Sequence, residues 1–224
     1  MYKLRHTNDD EIEVGLDEAG RGCLWGPVFV GAVAFSDCLD DFPDGGEMLL
    51  QLKDSKQITA KKRDELFDYI KESALAYSIS SASVAEIDEH NILQADMIAM
   101  HRALDDLSVP VGRLLVDGDY FRPYKGIESH TIVEGDSIYL AIAAAGILAK
   151  VSRDRYVKEQ VALRPDLHEK YGFGTNMGYG AAKHMEGLTL HGVTPEHRRS
   201  FKPVREVLGL SAPKKTKGWT GVIE

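Results

Sequence analysis

Residues 14–22 read VGLDEAGRG and residues 28–35 read VFVGAVAF. Both runs are rich in β-branched and apolar residues, and a glycine-bearing connection joins them, the pattern of two paired strands. We expect a hairpin from residues 12–17 and 28–35. Side chains on a strand alternate between faces, so Asp17 and Glu18 could serve one site only if the strand ended or bent beside them. Gly20 and Gly22 permit that bend.

Working outward, SDCLDDFPDGGE at 36–47 reads as an acidic, turn-rich loop. Thr59 then caps a helix that turns Leu66, Phe67 and Ile70 to one side. Residues 75–84 read as a strand, and Asn91 to Leu107 carries a helical apolar face. Arg113 to Val116 forms a short buried strand that ends on Asp117, and His130 to Val133 forms another with Asp136 just beyond. From Ser137 to about Val161 the spacing predicts a long helix, whose small residues (AIAAAGILA) suit close packing on a sheet. The glycine-rich YGFGTNMGYG loop follows, then short helices at Lys183 to Leu190 and Phe201 to Leu208, and a tail beginning SAPKK. The expectation is an α/β architecture: a mixed central sheet flanked by helices, with a helical C-terminal portion.

Charge divides unevenly. Residues 1–149 carry 13 Lys/Arg against 27 Asp/Glu, net −14, whereas residues 150–217 carry 14 against 7, net +7. An acidic half suited to cations and a basic half suited to a polyanion fit that split, as does plain surface decoration. The longest apolar run, Ile138 to Ala149, is shorter than the roughly 18 residues of a membrane span. The polar, acidic N-terminus lacks a secretory or transit pattern, so the cytoplasm is the expected location. Two cysteines, Cys23 and Cys38, suit a reducing compartment and are too few for a disulfide framework.

Asp17 and Glu18 beside one strand, Asp117 closing another and Asp136 at the mouth of a helix can converge at one sheet edge. Four such carboxylates repel one another unless cations intervene, and oxygen-only donors favour Mg²⁺ or Mn²⁺. Two ions would activate water and steady a leaving oxygen in phosphodiester hydrolysis. Capping of the helix by Asp136 and turn initiation by Asp117 fit the local sequence equally well. A Mg²⁺-dependent phosphatase, and a binding protein whose acids are structural, share these features. The histidines form no metal-binding pair; His101, His184 and His197 read as surface or packing residues.

Several motifs in order carry a family resemblance: DEAGRG at 17–22, GPVFVGAV at 26–33, DSK at 54–56, VDG at 116–118, EGD at 134–136, IAAAGILAKVSRD at 142–154, GYG at 178–180 and HRRSF at 197–201. Over about residues 12–207 the chain resembles ribonuclease HII of the bacterial type. The related ribonuclease HIII carries a further N-terminal substrate-binding domain; with DEAGRG starting at residue 17, the HII type is expected.

The resemblance implies a ribonuclease H-like core over residues 1–160, a basic helical portion over 161–210 packed on it, and a flexible tail over 211–224. It implies an endoribonuclease that cuts RNA in RNA–DNA hybrids and cuts 5′ to single ribonucleotides in duplex DNA, the entry step of ribonucleotide excision repair. Asp17, Glu18, Asp117 and Asp136 would be the catalytic metal ligands, holding two Mg²⁺ or Mn²⁺ ions. Gly20, Arg21 and Gly22 would read the ribonucleotide 2′-hydroxyl, Tyr179 would pack on the next sugar, and Lys56 would contact a phosphate. Lys150, Arg153, Arg198 and Arg199 could add backbone contacts, with at least some of them structural instead. The implied partners are hybrid and ribonucleotide-containing duplex; the chain is expected to be a monomer, and GWTGVIE at 218–224 does not match a sliding-clamp motif. The chain departs from the family pattern at Asp119 and Tyr120, at Gly146, where serine is usual, and around Met177 to Ala181.

Overall fold

The structure, a computed structural model, describes residues 2–54 and 58–211. The chain forms two compact units that interleave along the sequence. The first is built from the residues up to Ala19, Phe29–Ser81 and Met97–Ser152; the second from Gly20–Val28, Ala82–Asp96 and the chain from Arg153 onward.

The first unit carries a five-stranded sheet of β1 (Glu13–Ala19), β2 (Val28–Ala34), β3 (Ala76–Ala82), β4 (Arg113–Asp117) and β5 (Glu128–Ile132), in the order β3-β2-β1-β4-β5. β1 runs antiparallel to β2 and parallel to β4, and β4 runs parallel to β5, so the sheet is mixed. The expected hairpin is present, but β1 does not stop at Asp17. Asp17 pairs with Gly31 and Glu18 with Val30, so both acids lie within the ladder. The turn comes later, at Gly20, whose φ of 94° lies in the left-handed region.

Two glycines determine how closely the long helix α5 (Leu140–Leu163) lies on this sheet. A Cβ on Gly15 would stand 2.2 Å from the carbonyl carbon of Ala141, and one on Gly31 would stand 2.2 Å from the carbonyl oxygen of Ala145. Helix backbone therefore rests directly on strand backbone, which explains the run of alanines. α5 starts at Leu140 rather than Ser137, because Gly135–Ser137 closes a 3₁₀ turn in which Ile138 N–H donates to Gly135 O at 2.9 Å.

α1 (Glu47–Leu50) and α2 (Ala60–Ser73) complete this layer. Thr59 Oγ1 accepts from Lys62 N–H, the expected cap, and Leu66, Phe67 and Ile70 are buried with Val33, Ala144 and Leu148. The acidic loop is more ordered than its composition suggests, since both Asp44 oxygens accept backbone N–H groups, from Gly46 and Met48, at the entry to α1. At the start of β4, buried Arg113 ion-pairs with Asp9, Glu13 and Glu128.

α3 (Val84–His90), in the second unit, opens on a capping box between Ser83 and Glu86; α4 (Ile92–Asp105) follows it and from Met97 onward belongs to the first unit. The second unit also holds α6 (Asp166–Tyr171), α7 (Phe173–Asn176), α8 (Ala182–His191) and α9 (Lys202–Val207). Its core includes Trp25, Val157, Leu167, Tyr171 and Phe173. Among the described residues no helix is long and apolar enough to cross a membrane.

Candidate active site

In the first unit Asp17 lies on the face of β1 that α5 covers. It shares that face with Gly15 and Gly31, and a Cβ at Gly146 of α5 would stand 2.3 Å from Asp17 Oδ2. The departure at Gly146 is therefore a local accommodation: glycine leaves the room this carboxylate occupies. Asp17 Oδ1 accepts the Glu18 N–H at 2.7 Å. Burial holds the Asp17 carboxyl well above the usual carboxylate range, with added repulsion from Glu18 and Asp117 and a smaller share from Asp136, against that one hydrogen bond.

Asp117 ends β4, and its Oδ1 accepts from the backbone N–H groups of Gly135 at 2.8 Å and Asp136 at 3.4 Å. The strand end thus latches the 3₁₀ turn that carries Asp136. Glu134, in the left-handed region at φ 56°, turns the chain into it. Asp136 does not cap α5, as it lies inside that turn. Asp17 and Asp136 open on one cavity of about 300 Å³, lined also by Arg63, Gly146, Ile147 and Lys150.

Asp17 is thus the electrostatic neighbour of Glu18, Asp117 and Asp136, and of these four acids Asp17 and Asp136 line the cavity while Glu18 and Asp117 do not. Among the described residues no three His, Cys, Asp or Glu side chains are placed together so as to hold a metal ion. The donors fit a hard divalent cation all the same: they are oxygen-only, and Asp17 is held under repulsion that a cation would relieve. Arg63 had been hidden within a run of basic residues. It donates to the Ile58 carbonyl at 2.5 Å and faces the cavity, and no local signal separates it from its neighbours Lys61 and Lys62. Asp119 and Tyr120 are exposed and do not line the cavity.

Gly20, Arg21, Gly22 and Tyr179 belong to the second unit. A Cβ on Gly20 would stand 2.0 Å from Arg153 Nε, whereas one on Gly22 would meet nothing within 4 Å. Gly20 is a packing requirement and Gly22 is open to an approaching molecule. Leu24 N–H donates to Gly178 O at 2.9 Å, which ties this turn to the loop of Tyr179. Tyr179 is 42% exposed, with the Arg153 guanidinium 5.6 Å from its ring centroid.

Of the four basic residues expected near phosphates, two take a structural role. Arg153 and Arg198 are buried and bind the protein's own carbonyls: Arg198 those of Arg21 at 3.0 Å and Gly26 at 2.9 Å, Arg153 that of Trp25 at 3.3 Å. A guanidinium enclosed in this way shapes the loop and does not reach a ligand. Arg199 is exposed and Lys150 faces the acidic cavity. His101, His184 and His197 are all buried. Lys56 and the residues beyond 211 lie outside the described residues.

The family model described as Ribonuclease HII matches residues 14–204. The ribonuclease HII of Paraburkholderia xenovorans is 46% identical over 94% of this chain and 81% of its own length. Ribonuclease HII 1 of Methylibium petroleiphilum is 48% identical over 90% of this chain and 96% of its own. Among solved structures, ribonuclease H2 from Pyrococcus horikoshii superposes with a TM-score of 0.69 at 27% identity, covering 88% of this chain and 96% of that one. A ribonuclease HIII described as Bst, in complex with Mn²⁺, reaches 0.65 at 17% identity over 93% of this chain and 70% of its own, a likeness of fold.

Proposed function

Because the chain belongs to the ribonuclease HII family, and so is an endoribonuclease with ribonuclease H activity on RNA–DNA hybrids, we propose that it also cuts 5′ to single ribonucleotides embedded in duplex DNA, leaving 3′-hydroxyl and 5′-phosphate ends. The observation that carries the chemistry is the cavity shared by Asp17 and Asp136, with Glu18 and Asp117 close enough to repel Asp17.

Asp17, Glu18, Asp117 and Asp136 would hold two divalent cations, Mg²⁺ or Mn²⁺. Bound there, such ions supply an acidified water and neutralise charge on the departing oxygen. The chain's own residues do the rest. The Gly135 and Asp136 N–H groups orient the Asp117 carboxylate, and the Glu18 N–H orients that of Asp17. Lys150 and Arg63 set positive charge on the wall of the same cavity, where a phosphate oxygen would lie. Gly20, Arg21 and Gly22 read the 2′-hydroxyl through main chain that open space at Gly22 leaves accessible. Tyr179, partly exposed, meets the sugar that follows, and Lys56 contacts a neighbouring phosphate. The protein works as a monomer in the cytoplasm.

The test is a labelled DNA duplex containing one ribonucleotide, incubated with Mg²⁺, with Mn²⁺ and with chelator, beside the Asp17→Asn variant. Cleavage 5′ to the ribonucleotide that needs both the ion and Asp17 is expected. Cleavage that survives chelator and substitution overturns the reading.

A further inference from the structure

A chain of hydrogen bonds with one possible direction crosses the second unit. Trp25 Nε1–H donates to Thr194 Oγ1 at 3.0 Å. The backbone N–H of Thr194 donates to His197 Nδ1 at 2.8 Å, and Thr194 Oγ1 lies 2.9 Å from the same nitrogen. That Nδ1 therefore carries no proton, and in a neutral ring Nε2 carries it. His197 Nε2 stands 3.0 Å from His184 Nε2, which must then accept. His184 keeps its proton on Nδ1, and this donates to the backbone carbonyl of Tyr179 at 2.9 Å. The two rings have opposite tautomers, and every link has one donor and one acceptor.

The surroundings keep both rings neutral. His184 and His197 are fully buried, with the Phe173 ring 4.7 Å from His184 and the Tyr171 ring 5.1 Å from His197. Among the described residues neither ring hydrogen-bonds a carboxylate. Burial lowers the proton affinity of both, bringing His197 to about 3 with the help of its partner ring. Protonation of either would place two N–H groups head to head.

The chain ends on the loop that presents Tyr179. The Tyr179 carbonyl also accepts Ala181 N–H at 2.8 Å, while Gly178 N–H donates to Asn176 Oδ1 at 2.9 Å. Tyr179 N–H donates to Asn176 O at 2.9 Å and Leu24 N–H to Gly178 O at 2.9 Å, so the other bonds of the loop fix its backbone around residues 176–178, and the histidine supplies the side-chain donor to the Tyr179 carbonyl from the buried side.

We infer that His184 and His197 are positioning residues: the ordered neutral pair, aligned by Thr194 and Trp25, holds the Tyr179 carbonyl and so sets the angle at which the phenol meets the sugar beyond the cut. The selectivity of the enzyme for a deoxyribose at that place would depend on two histidines that touch no substrate. This rests on the reading of Tyr179 given above, and the experiment separates the two.

At residue 184 an asparagine places an N–H donor where Nδ1 was, whereas a glutamine reaches the place of Nε2 and leaves the Tyr179 carbonyl without its donor. Two quantities are measured on wild type, His184→Asn, His184→Gln and Tyr179→Ala. One is the ratio of kcat/KM for a single-ribonucleotide duplex to that for a continuous hybrid; the other is amide hydrogen exchange over residues 178–181. His184→Gln is expected to lower the ratio about tenfold and speed exchange, with His184→Asn near wild type. Equal losses on both substrates, or unchanged exchange in His184→Gln, overturn the inference. So does faster exchange with an unchanged ratio where Tyr179→Ala lowers it. Faster exchange with no effect of Tyr179→Ala instead upholds the positioning and removes the role of Tyr179. Independently of activity, ¹⁵N spectra near neutral pH should show the proton on Nδ1 of His184 and Nε2 of His197; the reverse arrangement, or a charged His197 at pH 6, overturns it.

Discussion

The first unit gathers acids that repel Asp17, and the second pairs two buried histidines with each other. Asp17 lies under α5 with a single hydrogen bond from the adjacent main-chain N–H and three carboxylates acting against it. His184 and His197, equally enclosed, pass one proton direction along a chain with no charge at all. Burial disfavours charge in both places. In one, carboxylates are gathered around Asp17, which makes sense for a site completed by a ligand; in the other, neutral rings satisfy each other, which makes sense for a scaffold.

The largest effect should come from removing a charge in the first unit. Asp17→Asn is expected to lower kcat on hybrid by more than about 10³-fold, roughly 4 kcal/mol of transition-state stabilisation. In chelator the same variant should melt at a higher temperature than wild type, because a carboxylate held above its ordinary pKa opposes folding at neutral pH. Added Mn²⁺ should raise the melting temperature of wild type and leave that of the variant nearly unmoved. A variant that is both inactive and less stable would break the comparison.

The second unit predicts a smaller, pH-dependent effect. His197 takes a proton in the unfolded chain near pH 6.5 and in the folded one only near 3. Stability is therefore fully present above about pH 6.5 and falls as pH drops toward 3, by about 2 kcal/mol at pH 5. Urea unfolding across that range should show the slope, and His197→Gln should flatten it. A wild-type curve level between pH 7 and 5 would sink the neutral-pair account.

A smaller effect still is expected at Gly146. Its alanine variant should push the Asp17 carboxylate aside and weaken apparent Mn²⁺ affinity about tenfold, as judged by the ion concentration for half-maximal cleavage. Gly146→Ser should lose less, since its hydroxyl can donate to the displaced oxygen. An alanine variant with unchanged ion dependence would show that the room beside Asp17 has no role.

Much of the first unit was legible in the sequence. The hairpin, the capped helix at Thr59 and the short strand ending on Asp117 all announce themselves through period, propensity and capping chemistry within a few residues. The boundary of β1 was not legible, because Asp17 and Glu18 look like a strand end while the ladder to Gly31 and Val30 carries them as interior residues. Which of Lys150, Arg153, Arg198 and Arg199 are structural was not legible for a related reason. A basic side chain in a basic region suggests solvent or polyanion, and only the carbonyls of Arg21, Trp25 and Gly26 turned toward Arg153 and Arg198 show otherwise.

By itself the order of short motifs determined the family and nominated Asp17, Glu18, Asp117 and Asp136, because residue identity and local period are properties of the chain in one dimension. Tertiary structure alone decided that Gly146 makes room for Asp17, that Asp117 latches the turn of Asp136, and that two histidines separated by a helix and a loop share one proton direction. Those outcomes depend on distances of a few ångströms between groups far apart in the chain. Electrostatics and hydrogen bonding vary steeply over just that range.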